Sequence, residues 1–260
     1  MRALREHWPE YLLEALGLAI IMLVSVGVTV FAEVFLPHQW PNLARRIVEG
    51  LAIAGTVITL VYSPLGLRSG AYYNPAVTLT FLTLGRVKRA DAAFYVASQF
   101  AGAALGILLA GLLLGSPARE PPVMWIVTQP GLYGATVAFA AEFAISFLLM
   151  EVVLVTGGSS SLSRFTGVFV GTLVFLYVCF EAPLSGFGMN PARSFASAAA
   201  SGSWKAFWIY LSAPPAGMLA AAALTRSLRT LPLINCAKLI HDDAYRCIHC
   251  GFVPERERHA

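Results

Sequence analysis

The chain has 260 residues, of which 57% are hydrophobic and 12% charged, with a net charge of +4 and a mean hydropathy of +0.69. This balance excludes a disordered chain and an ordinary soluble domain, and it describes a protein that crosses a membrane several times. The positive charge and a pI near 9.0 call for no nucleic-acid partner, because basic residues collected at the ends of spans account for both.

The first apolar segment covers roughly residues 11 to 36, long enough to cross a hydrocarbon core of about 20 helical residues. It carries Glu14 in LLEALGLAII, exceeds a signal-peptide core in length and offers no small-residue cleavage site, so it is expected to be a retained span. A second segment follows at about 46–63, then the stretch GAYYNPAVTL at 70–79, a short apolar run ending near Gly85, and a third segment at about 92–114. The second half repeats this order. A span at about 134–156 bears Glu142 in AAEFAISFLL, another runs over about 165–182, the stretch GFGMNPARSF occupies 186–195, and a last span covers about 204–225. Such runs leave no polar face for water, which argues against a soluble bundle.

Three spans per half place the second copy upside down relative to the first, an arrangement used by transporters and channels that hold their solutes near the midplane. The segments after Asn74-Pro75-Ala76 and Asn190-Pro191-Ala192 are too short to span. Proline suits the first turn of a helix, where its missing N–H costs nothing. Each motif therefore predicts a half-helix starting near the bilayer centre, and irregular backbone at that depth must be buried in protein or line a watery lumen. Two helix N-termini bring positive partial charge to the lumen. Asn74 and Asn190 are expected to offer side-chain N–H donors there, and Arg193 adds a permanent charge that lipid would not tolerate.

With six spans both termini share one face, which holds Arg2, Arg5, Arg68, Arg86, Lys88, Arg89, Arg164, Arg226, Arg229, Lys238 and further tail residues, whereas the other holds Arg45, Arg46, Arg119 and Lys205. The excess places both termini in the cytoplasm. After residue 230 the composition changes. Cys236, His241, Cys247 and Cys250 match a tetrahedral Cys3His zinc site that would fold the tail without an open coordination position. His249 is an alternative to His241, and a redox dithiol or unused thiols are the rival readings.

GAYYNPAVTLT and GFGMNPARSFASA, at inverted-repeat positions, resemble the two signature loops of the aquaporin (major intrinsic protein) family over roughly residues 8–228. The resemblance implies an all-α multi-pass fold of six transmembrane helices and two re-entrant half-helices, assembled as a homotetramer with one pore per protomer in the cell membrane. It divides the chain into a channel domain at 1–230 (repeats at about 8–114 and 134–228) and a cytoplasmic tail at 231–260. It also implies a passive channel for water and small neutral solutes such as glycerol, needing no cofactor, with urea, ammonia or a metalloid as alternative solutes. Glu14 and Glu142 resemble the family's structural carboxylates, with proton carriage as the other reading.

Counting back without gaps from the two motif asparagines, the family's outer selectivity filter falls on Ala54, Val178, Phe187 and Arg193, a wide and largely apolar ring. Ser194 after Arg193 departs from the glycerol-conducting pattern, and Tyr72 stands where the family commonly has a histidine, two residues before Asn74. A secondary carrier also uses inverted repeats and broken helices. Catalysis is not expected, because the histidines at 7, 38, 241, 249 and 259 all lie outside the spans and no nucleophile–base set is evident. The spacings of Gly102 with Gly106 and of Gly167 with Gly171 predict close helix packing.

Overall fold

The computed structural model describes residues 2–228 and 236–255. The first repeat comprises α1 (Arg2–Val30, prolonged by a π-turn at Phe31–Phe35), α2 (Asn42–Tyr62), the short α3 (Pro64–Ser69), the half-helix α4 (Pro75–Thr83), α5 (Arg89–Leu114) and the short α6 (Ser116–Arg119). The second comprises α7 (Gly134–Gly158), α8 (Thr166–Leu176, prolonged by a π-turn at Tyr177–Glu181), the short α9 (Ala182–Ser185), the half-helix α10 (Pro191–Ser201) and α11 (Phe207–Ser227). The spans are thus α1, α2, α5, α7, α8 with α9, and α11. Five of them are long and apolar enough to cross a membrane on composition alone. The remaining one, α2, is 21 residues long but carries Arg45, Arg46 and Glu49 in its first turns. Buried Arg45 donates to the carbonyls of Ala32 (3.1 Å) and Pro37 (3.0 Å) and to Glu33 (3.1 Å), so its charge fastens the corner between α1 and α2.

The two repeats pack by one plan. α1 lies along α5 and α7 along α11, while α2 and α8 face each other across the pseudo-twofold. Each half-helix reaches into the other repeat: α10 packs on α5, α4 packs on α11, and the two touch each other. The glycine spacings explain how the spans come so close. A Cβ on Gly102 would sit 2.1 Å from the Ala15 carbonyl oxygen, one on Gly106 2.5 Å from that of Ala19, and one on Gly217 2.3 Å from that of Phe143. Gly167 and Gly171 make the same room between α8 and α2, against Val61 and Ile58. Trp8, Trp40, Trp204 and Trp208 are exposed, as anchors at span ends should be. Trp125 instead packs its ring on Gly111.

The boundary expected at residues 230 and 231 lies outside the described residues. Beyond it, residues 236–255 fold back against the face where α1 begins: Leu239 N–H donates to the Gly70 carbonyl (3.2 Å) and Arg246 donates to Glu10 (3.4 Å).

Gly102→Val forces a β-branched side chain onto the backbone of α1 and is expected to destabilise the detergent-solubilised protein by about 3 kcal/mol or more. Gly27→Ala, where a Cβ meets nothing within 4 Å, should stay within about 1 kcal/mol of the parent or gain slightly. Thermal unfolding of the two variants side by side checks the pair.

Candidate functional site

A cavity of ≈ 460 Å3 runs through the centre of the bundle, bordered by Asn74, Asn190, Arg193, Val178 and Phe187 and, towards the terminal face, by Tyr72, Val77 and Leu239. Its midpoint is built from the two motif loops. Asn74 and Asn190 are the N-caps of α4 and α10: the side-chain oxygen of Asn74 accepts from Ala76 N–H (2.9 Å), and that of Asn190 from Ala192 (3.0 Å) and Arg193 (3.3 Å). Pro75 and Pro191 occupy the first turns. The amide of Asn74 donates to the Met189 carbonyl (2.8 Å) and that of Asn190 to the Tyr73 carbonyl (2.7 Å). One N–H of each asparagine therefore ties the two loops to one another. An amide has two such hydrogens, which leaves one on each side for a solute.

Both loops hang from buried carboxylates. Glu14 accepts from the backbone N–H groups of Tyr72 (3.0 Å) and Tyr73 (2.7 Å), the Ser69 hydroxyl (2.7 Å) and the Gln99 amide (2.9 Å). Glu142 accepts from Gly188 (2.6 Å), Met189 (2.6 Å) and the Ser185 hydroxyl (2.6 Å). Tyr95 and Tyr210 then donate to the carbonyls of Ser69 and Ser185 (2.5 Å each). The turns that aim these N–H groups carry positive φ at Gly70 and Gly186, at Ala71 and Phe187, and at Tyr73 and Met189. Strain of this kind persists only where the surroundings hold it. Both carboxylates thus accept from two consecutive loop N–H groups and from neighbouring side chains.

The outer part of the cavity differs from the expected ring at one position. The cavity stripe on α2 is Glu49, Ile53, Val57 and Val61, spaced by one helical turn. Ala54 points away from it and is buried where α2 meets α8, its carbonyl 3.2 Å from where a Cβ on Gly171 would lie. A gapless count from Asn74 crosses the break at Ser63-Pro64, where α2 ends and α3 begins, and one residue of slip there moves the position to Ile53. The cavity is bordered by Ile53, Val178, Phe187 and Arg193, and not by Ala54. Arg193 is half-buried near Glu142 and Glu181, and its Nη1 has no hydrogen-bond partner among the described residues.

Sequence reasoning also passed over Glu181. It is buried, and the Ser185 hydroxyl stands between it and Glu142; the repeat-one position is Leu65, so no symmetry argument could reveal it. Glu151 accepts from Thr225 on α11 (3.2 Å), which ties it to its own repeat.

At the terminal face the four candidate ligands Cys236, His241, Cys247 and Cys250 bring one donor atom each to within 4.8 Å of one another. Cys236 Sγ is 3.3 Å from Cys247 Sγ, and His241 Nε2 is 3.3 Å from Cys250 Sγ. Asp243 lies 3.5 Å from His241 Nδ1, on the ring nitrogen turned from the cluster, as carboxylates commonly do behind a metal-bound histidine. The Cys247 thiol is held below the usual thiol range, first by its hydrogen bond with Cys236 and then by the N–H groups of Cys250 and His249. A thiolate is the form that binds a metal. His249, the alternative ligand, is turned away: its ring stacks on Tyr72 at 5.7 Å, and its Nε2 is 3.4 Å from the hydroxyls of Tyr72 and Tyr95.

The family model described as "Major intrinsic protein" matches residues 3–225. Aquaporin NIP1-1 of Arabidopsis thaliana is 36% identical over 194 residues, 73% of this chain and 62% of that protein. Aquaporin NIP1-4 of Oryza sativa subsp. japonica is 38% identical over 176 residues, 66% of this chain and 62% of that protein. The chain spans 59% to 62% of the length of the first such relatives. Among solved structures, the aquaglyceroporin from Plasmodium falciparum is similar with a TM-score of 0.71 and 21% identity, covering 85% of this chain and 96% of that one.

Glu14→Gln and Glu142→Gln each place an amide NH2 against a backbone N–H donor, of Tyr72 or Tyr73 in one repeat and of Gly188 or Met189 in the other. The expected loss is on the order of 2–3 kcal/mol or more per variant, read as a lowered unfolding midpoint in detergent. An unchanged midpoint with altered proton flux would instead mark a carrier.

Proposed function

Because the chain belongs to the major intrinsic protein family, we propose that it is a passive channel for water and small uncharged solutes that excludes protons and ions. The observation that carries this reading is the single cavity bordered by Asn74, Asn190 and Arg193, where two half-helix N-termini meet. A cation entering it faces the positive ends of two helix dipoles, roughly half an elementary charge each, and then the guanidinium. A water or hydroxyl group bound by the free N–H of each asparagine turns its lone pairs towards them, which interrupts a hydrogen-bonded proton wire. The relatives named above are aquaporins, and nothing in the spans offers an enzyme's nucleophile and base.

Three apolar walls from Ile53, Val178 and Phe187 face one guanidinium with an unpaired Nη1. That ring suits a solute with a carbon skeleton on one side and hydroxyl or amide groups on the other, such as glycerol or urea. The protein is read as a multi-pass channel of the cell membrane with both termini in the cytoplasm, assembled as a homotetramer with one pore per protomer. The tail cluster is read as a structural zinc site: a tetrahedron with Zn–S near 2.3 Å has S–S edges of about 3.8 Å, within the observed spread, and a set of four protein ligands leaves no position for catalysis.

Two measurements test these readings. In proteoliposomes Arg193→Val should raise proton or cation leakage about thirtyfold, because a unit charge about 8 Å from the ion at an effective dielectric of about 20 is worth about 2 kcal/mol; unchanged leakage would remove the charge as the barrier. Protein purified without chelators should contain one zinc per chain, and Cys247→Ser should lose it.

A further inference from the structure

The four clustered donors belong to a segment that lies in the mouth of the cavity. Residues 236–255 bury Ala237, Lys238, Leu239 and Cys247 to 6% exposure or less, although the segment has almost no regular secondary structure. Leu239 borders the same cavity as Asn74, Asn190 and Arg193, and its N–H is bonded to Gly70 at the start of the first motif loop. Lys238 Nζ donates to the carbonyl of Leu67 (2.7 Å), where α3 ends, and to that of Arg246 (3.0 Å) within the tail. Arg246 donates to Glu10 (3.4 Å) and to the Glu6 carbonyl (2.6 Å) on α1. His249 covers Tyr72, itself a cavity residue, and meets Tyr95 edge-on at 5.7 Å. On the opposite side a cleft is shared between Gly157, Gly158, Ser163 and Arg164 of the second repeat and Cys236, His241 and Cys250 of the tail. The tail therefore lies across the opening, between both repeats.

What holds the tail in this shape is the second half of the inference. The backbone bonds that close it include Cys247 N–H to the Phe252 carbonyl (2.8 Å), Gly251 N–H to the Cys247 carbonyl (3.0 Å) and a turn at Asp242 (3.3 Å). A segment of this size cannot bury enough apolar surface to fold alone, and a metal is the usual staple. The ligands Cys236 and His241 bracket Lys238 and Leu239, so the same coordination that closes the cluster fixes the two residues that enter the mouth. Cys247 and Cys250 likewise bracket His249.

We propose that a thiophilic divalent cation, zinc, bound by Cys236, His241, Cys247 and Cys250 holds the tail as a plug in the cytoplasmic mouth, and that the channel conducts when the metal is removed. The proposal rests on the zinc and channel readings above. Binding exchanges the thiol protons for the metal and needs no electron transfer. The seat consists of Leu239 over the lumen, His249 on Tyr72, and Lys238 and Arg246 on the carbonyls and carboxylate around it.

The test is water permeability of the full chain in proteoliposomes, loaded with one equivalent of Zn2+ or stripped with a membrane-permeant chelator. Metal content is measured on the same samples. Stripping should raise permeability at least about tenfold, because the metal is what holds the tail in its folded shape. Zn2+ should reverse the rise and Mg2+ should not. Trypsin should cut at Lys238 in the stripped protein and not in the loaded one. Cys247→Ser/Cys250→Ser should be metal-poor and open in either condition. Leu239→Ala/His249→Ala keeps all four ligands and should bind zinc yet conduct. Stoichiometric zinc with equal permeability in both states overturns the plug and leaves the zinc reading standing. Failure to bind zinc overturns both, and permeability equal to that of empty liposomes in every sample overturns the channel reading and the plug with it.

Discussion

Backbone that leaves helical geometry in the middle of a membrane must find every hydrogen-bond partner inside the protein, and the rest of this structure depends on how Glu14 and Glu142 meet that demand. Each carboxylate offers two oxygens with spare lone pairs, which a neutral side chain does not, and each gathers two consecutive loop N–H groups and a serine hydroxyl. The serine accepts in turn from the residue two further on, Ala71 or Phe187. With these bonds in place the chain can turn through positive φ, present Asn74 and Asn190 as helix caps, and start two half-helices at the same depth. The asparagines then close the ring by bonding to each other's loops.

Because the scaffold is duplicated so closely, the places where the copies differ carry the specificity. Three residues past the capping asparagine, Val77 matches Arg193, so one mouth is apolar and the other charged. Gln99, which bonds to Glu14 from α5, corresponds to Pro214 on α11, and Glu142 has instead a second carboxylate nearby in Glu181. The outer half of the cavity is thus richer in charge than the inner half, with Arg193 set close to Glu142 and Glu181. Glu142 and Glu181 lie close enough to act on the guanidinium electrostatically, while its Nη1 has no protein acceptor among the described residues.

Much of this was legible in the sequence because it is periodic. Six apolar runs, a carboxylate near the start of each half and paired Asn-Pro-Ala motifs define the repeat, and the inversion follows from an odd number of spans per half. The glycine pairs were legible for the same reason, as spacings on one helix face. Ala54 does not border the cavity; it was reached by counting through Ser63-Pro64, where α2 stops and a new helix begins, and a count carries no information about such a break. The helix itself was the better guide: the turn-by-turn series 49, 53, 57, 61 contains Ile53 and not Ala54. Glu181 has no partner in repeat one, so the argument from duplication could not reach it. The four tail ligands were visible as a pattern, whereas their seat was not, since contacts between residues 239 and 70 or 249 and 72 leave no local trace.

One sequence anomaly gains a cause from that seat. Two residues before the capping asparagine, repeat two has Gly188, and a Cβ there would lie 2.6 Å from the Tyr210 ring and 3.0 Å from Glu142. The same position in repeat one holds Tyr72, whose ring stacks between Phe81 at 5.2 Å and His249 at 5.7 Å. A small or hydrophilic residue at 72 would leave the terminal mouth wider and give the imidazole no flat partner. Burial lowers the His249 pKa, which favours the neutral ring at this place. Tyr72 therefore does two things with one ring: it narrows the inner lumen, and it supplies the surface against which the tail can lie. A bulky aromatic at this position fits the proposed plug, because it gives His249 of the tail a flat surface to lie on.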